Sequence, residues 1–190
     1  MSKRSAQVRV QDALAILNPG GSLHASVFSE DGSTFVTARN VRGNKKRVVR
    51  IFYNEGRGFV EAPMLMMSNT RDKNVVLGER VGVSAKGDVI AVGGILTDGT
   101  AKYHIYVYEK QLKGPEWILT SDVEIVGSFR TQLQLTSITV ASSTSIFADR
   151  KHTTGNLVTR FNITKDEEGV WDVTSLAHTS LTTGVNYEAQ

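Results

Sequence analysis

Four histidines, His24, His104, His152 and His178, are the side chains best suited to proton transfer or metal binding here, and none stands at a metal spacing. The sequence holds no cysteine, so disulfides and thiolate metal sites are excluded. Taken singly, His104 at a strand start and His152 in a turn read as surface residues. The acidic turns Glu30-Asp31-Gly32, Thr97-Asp98-Gly99 and Asp166-Glu167-Glu168-Gly169 invite a calcium reading. Calcium needs several closely spaced oxygen ligands, which none of these turns supplies, whereas Asp-Gly turn formation accounts for them. Gly93-Gly94 lacks the lysine and hydroxyl of a phosphate loop, and Ser137 to Ser145 contains no Gly-x-Ser-x-Gly elbow. No two carboxylates are marked by spacing as an acid and base pair. The expectation is a protein without enzymatic activity, cofactor or metal.

Two stretches carry contact chemistry instead. Arg39-Asn-Val-Arg-Gly-Asn-Lys-Lys-Arg47, followed by Arg50, is the densest positive charge in the chain. Sequence-tolerant binding of nucleic acid needs such charge together with stacking aromatics. Phe52, Tyr53 and Phe59 do follow, but in strands they alternate between faces and serve sheet packing. A solvated hairpin is the plainer reading, with contact to an acidic partner second, and it offers Arg42, Lys45, Lys46 and Arg47 as contacts. Met64-Leu-Met-Met67 beside Pro63 is the other stretch; methionines adapt to irregular partners, so Met64, Met66 and Met67 join the candidates. The inward face of an outer strand is the plainer reading of them. Asn162-Ile-Thr164 matches a glycosylation acceptor, which matters only in a secreted protein.

The elements that must position these residues are strands. From Arg80 to Glu124 four short apolar runs, rich in β-branched and aromatic residues, are separated by Gly, Asp, Lys and Pro, the pattern of an antiparallel meander. Imperfect copies flank it at a period of about 55 residues. Gly32 falls on Gly87, Phe35 and Ile146 on Ile90, Ile51 on Val107, and Phe59 and Trp171 on Trp117, while Phe161 falls on Tyr108. In the third copy, Asp149 to Gly155 reads as a turn.

The central unit, Val81-Gly-Val-Ser-Ala-Lys-Gly-Asp-Val-Ile-Ala-Val-Gly-Gly94 followed by Ile105-Tyr-Val-Tyr108 and Trp117, resembles the FG-GAP-like repeats of β-propellers. In the third unit Ser142 to Thr144 replaces the glycine turn. The resemblance implies an all-β chain of antiparallel four-stranded blade-like repeats, about three per chain, propeller-like or a partial propeller. The calcium loops of some members do not carry over, because the acidic turns lack the ligand spacing.

The expected organisation is a polar basic arm over residues 1–9 and a single all-β repeat domain over 10–190, with units near 23–67, 78–126 and 133–181. Residues 13–17 take the place of an outer strand ahead of the first unit. Of the 190 residues, 40% are hydrophobic and 22% charged, a balance ordinary for a globular domain. The longest apolar run, Val89 to Leu96, is far too short to span a membrane. The start is basic but has no hydrophobic stretch behind it, so no secretory signal is expected. Together with the absence of cysteine, this favours a cytoplasmic or particle-associated setting. A net charge of +3 permits contact with nucleic acid without arguing for it.

Closed propellers need four to eight blades, so three leave open faces and edges that native proteins cover. The functional expectation is a structural or interaction scaffold that forms homo-oligomers or joins other protein subunits, for example two copies completing a six-bladed ring or a particle coat. The alternatives are a carbohydrate-type ligand-binding propeller module and a nucleic-acid contact protein working through the basic hairpin.

Overall fold

A computed structural model describes residues 23–40, 47–54, 56, 58–62, 75–96, 102–111, 116–125, 133–152 and 157–180. The described residues form twelve strands in three antiparallel four-stranded sheets, each with its strands side by side in chain order. Blade 1 holds β1 (Leu23–Phe28), β2 (Thr34–Asn40), β3 (Arg47–Asn54) and β4 (Phe59–Glu61). Blade 2 holds β5 (Val75–Val83), β6 (Val89–Leu96), β7 (Lys102–Lys110) and β8 (Trp117–Ile125). Blade 3 holds β9 (Leu133–Ser142), β10 (Ser145–His152), β11 (Leu157–Lys165) and β12 (Trp171–Ser180). The described residues are all-β and form a partial propeller whose three sheets do not close among themselves.

The repeat is visible in the hydrogen bonds. In blade 1 the amides of Ser29 and Gly32 bond the carbonyls of Thr34 and Ser29; in blade 2 those of Ser84 and Gly87 bond Val89 and Ser84. Gly32 and Gly87 both have φ 68°, a left-handed conformation that glycine adopts without a Cβ clash. The serine hydroxyl closes each turn by accepting from a backbone amide, Thr34 at 2.9 Å and Val89 at 3.0 Å. Further along, Asn54, Lys110 and Lys165 occupy one position, their amides bonding Ser33, Asp88 and Thr144. They pair with Phe59, Trp117 and Trp171, which open the fourth strands.

Blade 2 is the middle of the stack. One of its faces packs Ile90, Val92, Tyr106 and Tyr108 against Val36, Ala38, Val49 and Ile51 of blade 1. Its other face packs Ala91, Ile105 and Val107 against Leu135, Ile138, Ile146 and Phe161 of blade 3. Burial on both sides explains the unbroken apolar runs Val89–Val92 and Ile105–Tyr108, whereas β10 alternates inward Ile146 and Ala148 with outward Phe147 and Asp149. The blades approach most closely at their inner strands, where β5 meets β1, β2 and β3 on one side and β9 on the other. Side-chain-free positions permit this. A Cβ on Gly78 would lie 2.8 Å from the Ala38 Cβ, and one on Gly82 would lie 3.0 Å from an Ile138 methyl.

Three sequence expectations are corrected. β10 continues through Asp149 to His152 instead of turning at Asp149. Arg150 is buried there, reaching the Ile125 carbonyl and lying over the Tyr103 ring, while Asp149 pairs outward with Arg160. Phe161 is level with Tyr106, not Tyr108, because Ala148 pairs with Phe161 as Val92 pairs with Tyr106. The slip is two residues, so the inward direction survives it. His104 is not a surface residue at a strand start; it lies inside β7 with its ring largely covered. The expected strand over 13–17 lies outside the described residues.

Candidate interaction surfaces

Each meander puts its first and third turns at the same end, so these turns line one rim of the array. Adjacent hairpins are stitched along it: the Asp31 amide donates to the Ala85 carbonyl at 3.1 Å, and the Thr34 hydroxyl donates to the Gly87 carbonyl at 3.1 Å. Among the described residues, the exposed large hydrophobics are Phe28, Val60, Ile118 and Val170. All four lie at this rim, beside or within a first or third turn. Phe28 is held rigidly, stacked at 4.0 Å on buried Phe35 and edge-on to Phe59 at 5.9 Å, yet stays 42% exposed. Exposed Glu30, Asp31, Lys86, Lys110 and Glu116 lie along the same rim, so it carries apolar side chains and charges of both signs.

Beneath the rim, each joint between blades uses the same three positions. Between blades 2 and 3, the Glu109 carboxylate receives Lys165 Nζ at 2.8 Å to both oxygens, Trp171 Nε1 at 2.9 Å and the Thr120 hydroxyl at 3.1 Å. Burial pushes the Glu109 carboxyl up, but the bonds from Lys165 and Trp171 outweigh it and hold the group below its ordinary value. Between blades 1 and 2, Tyr53 stands where Glu109 does. Lys110 Nζ lies 5.7 Å from the Tyr53 ring centre, and Trp117 Nε1 is buried without a hydrogen-bond partner. The aromatic joint is therefore a weaker version of the acidic one.

His104 Nδ1 lies 2.6 Å from Asp122 Oδ1, and its ring stacks on Tyr106 at 5.9 Å. The hydrogen bond to Asp122 raises the imidazole above its ordinary value, against the opposing effect of burial. Burial pushes the nearby Tyr108 hydroxyl up to about 12. A histidine and carboxylate could serve a nucleophile, but Nε2 is sealed in without a partner. The pair joins β7 to β8 and fits a structural role. Among the described residues no group of three His, Asp or Glu side chains could hold a metal ion, and no helix is long and apolar enough to cross a membrane.

The sequence candidates Arg42, Lys45, Lys46, Met64, Met66 and Met67 lie outside the described residues. Arg47 opens β3, and its side chain also lies outside them. Sequence reasoning missed the Glu109, Lys165 and Trp171 contact. Its signal was the recurrence of a lysine ahead of the tryptophan that opens the fourth strand, at Lys110 and Trp117 and again at Lys165 and Trp171.

No protein-family model matches the chain, and no curated protein does. Among solved structures it is similar to KlHsv2 with loop 6CD replaced by a Gly-Ser linker, at 14% identity over 84% of this chain and 45% of that one, with a TM-score of 0.47. An ancestral GH74 enzyme matches at 11% identity over 84% of this chain and 19% of that one, TM-score 0.44. The WD40 repeats of RRP9 match at 12% identity over 80% and 51%, TM-score 0.34. The chain thus spans about half or less of each of these structures. At such values the likeness bears on no activity, and the account of the fold rests on the blades themselves.

Proposed function

We propose that this chain is a non-catalytic interaction scaffold with FG-GAP-like blades, a single repeat domain over residues 10–190, which associates with a second copy of itself through its rim. The observation that carries this is the gathering of Phe28, Val60, Ile118 and Val170 on one rim, while the apolar side chains of the two joints are buried. Exposed apolar groups on a surface that also carries charge mark protein contacts, and rigid aromatics such as Phe28 are the usual anchors. The basic run containing Arg42, Lys45, Lys46 and Arg47, and the methionines Met64, Met66 and Met67, remain proposed partner contacts on sequence grounds.

Light scattering over a range of concentrations tests the reading. The native chain is expected to gain mass with concentration, and a Phe28→Ser, Ile118→Ser double variant to stay a single chain that still unfolds cooperatively, at a midpoint lowered by the lost stacking on Phe35. A native chain that stays single throughout sinks the reading.

A further inference from the structure

We propose that the outward face of blade 3 is a cap that accepts no further blade, so that self-association joins like surfaces and stops at two copies. The second half rests on the function proposed above; the cap does not.

At both internal joints, the residue at the Tyr53 and Glu109 position meets the lysine and tryptophan of the next blade. In blade 3 that position is Thr164, which pairs with Ser145 in the sheet as Glu109 pairs with Val89. Its hydroxyl bonds Thr174 of its own blade at 3.2 Å. If a second copy docked its blade 1 there, it would bring Asn54 and Phe59 in place of lysine and tryptophan. The Asn54 side-chain oxygen is already used by the Gly56 amide of its own turn, at 2.8 Å. The pairing would therefore have neither the cation nor the indole N–H of the internal joints, and in place of the Glu109 carboxylate only the Thr164 hydroxyl, already turned to Thr174.

The rest of the face agrees. The blade surfaces that do pack together present Val, Ile, Ala, Tyr and Phe. The outward surface of blade 3 presents exposed Thr139, Arg160 and Thr174. Asp149 lies among them, satisfied by Arg160 at 2.7 and 2.9 Å and by the Ser137 hydroxyl at 2.9 Å. Arg160 also covers the Phe147 ring, 5.6 Å from its centre, removing the aromatic that another sheet could pack on. A second sheet would strip water from these groups without offering replacements. Terminal repeats of stacked arrays carry such polar outer faces, which keep the array soluble. With this face capped, head-to-tail growth into a ring or filament lacks one of its two surfaces. A two-fold contact, in which one surface meets its own copy, needs no such second face.

The absence of cysteine makes the test direct. Thr139→Cys and Thr174→Cys report on the blade 3 face and Lys86→Cys, exposed in the first turn of blade 2, on the rim, each by its rate of maleimide labelling in the full chain. Blade 3 thiols are expected to react at rates constant within about twofold from dilute to concentrated protein, as accessible thiols do, while Lys86→Cys slows and the mass levels off at two chains. Blade 3 labelling that slows beyond about twofold as mass rises overturns the cap. Growth past two chains overturns the two-fold contact. A single chain at every concentration overturns both the dimer and the function it rests on, and constant blade 3 labelling then upholds the cap alone.

Discussion

Replacing Glu109 tests whether the acidic joint holds blade 3 on blade 2. The carboxylate side chain is 25% exposed, Lys165 is 23% exposed, and Trp171 is 2% exposed. Glu109→Ala removes every acceptor at once. The Trp171 N–H loses its bond in a buried setting, for which unsatisfied polar groups cost about 1–3 kcal/mol. The Lys165 ammonium can turn toward water, so its share is about 0–1 kcal/mol, as for a partly exposed ion pair. The expected loss is about 1–4 kcal/mol, which in a chain of this size lowers the midpoint of thermal unfolding by about 2–16 °C. Glu109→Gln keeps an acceptor for the indole and loses only the charge, so its cost is expected to be about 1 kcal/mol or less. Denaturant titration followed by tryptophan fluorescence measures both, and adding Lys165→Met to each gives the pairwise coupling. The sign with pH also follows. Because the Glu109 carboxyl is held below its unfolded value, the joint's contribution is complete above that unfolded value. It is lost as pH falls through the folded one. Equal costs for the Ala and Gln variants would refute the argument that the indole bond dominates.

Two further outcomes follow from the interior. The His104 imidazole is raised by Asp122, so the pair stabilises the fold fully below the unfolded histidine value, and that contribution disappears as pH rises through the folded value. Asp122→Asn is expected to move the His104 midpoint downward in an NMR titration and to remove this pH dependence; an unchanged midpoint would refute the assignment. Gly78→Ala places a methyl group 2.8 Å from the Ala38 Cβ at a residue with φ 81°, so overpacking and backbone strain combine to cost about 2–4 kcal/mol. A Gly78→Ala variant as stable as the native chain in denaturant titration would show that the inner strands are less tightly wedged than they stand here.

Strand identity and the repeat were legible in the sequence because both follow from local chemistry. Gly32 and Gly87 supply the same left-handed turn, and an aromatic opens each fourth strand at Phe59, Trp117 and Trp171. The ends of strands were less legible. β10 runs on past Asp149 because Arg160 and Ser137 neutralise that carboxylate from neighbouring strands, which a linear reading takes for a turn residue. Three units leave open faces in any arrangement, but whether a face is apolar depends on which residues the sheet turns outward.

By itself, the sequence determined the number of blades, the direction of each side chain in its strand and the absence of cysteine chemistry, since alternation and turn formation depend on residues a few places apart. It also held, in the unbroken apolar runs of β6 and β7, the mark of a sheet covered on both sides. Only the tertiary structure decided that Glu109 meets Lys165 and Trp171, that His104 meets Asp122, and that the exposed hydrophobics share one rim. Two of these depend on partners that stacking brings together across more than fifty residues, and even the His104 contact depends on the exact register of β7 against β8; a separation along the chain cannot specify a distance of closest approach until packing fixes it.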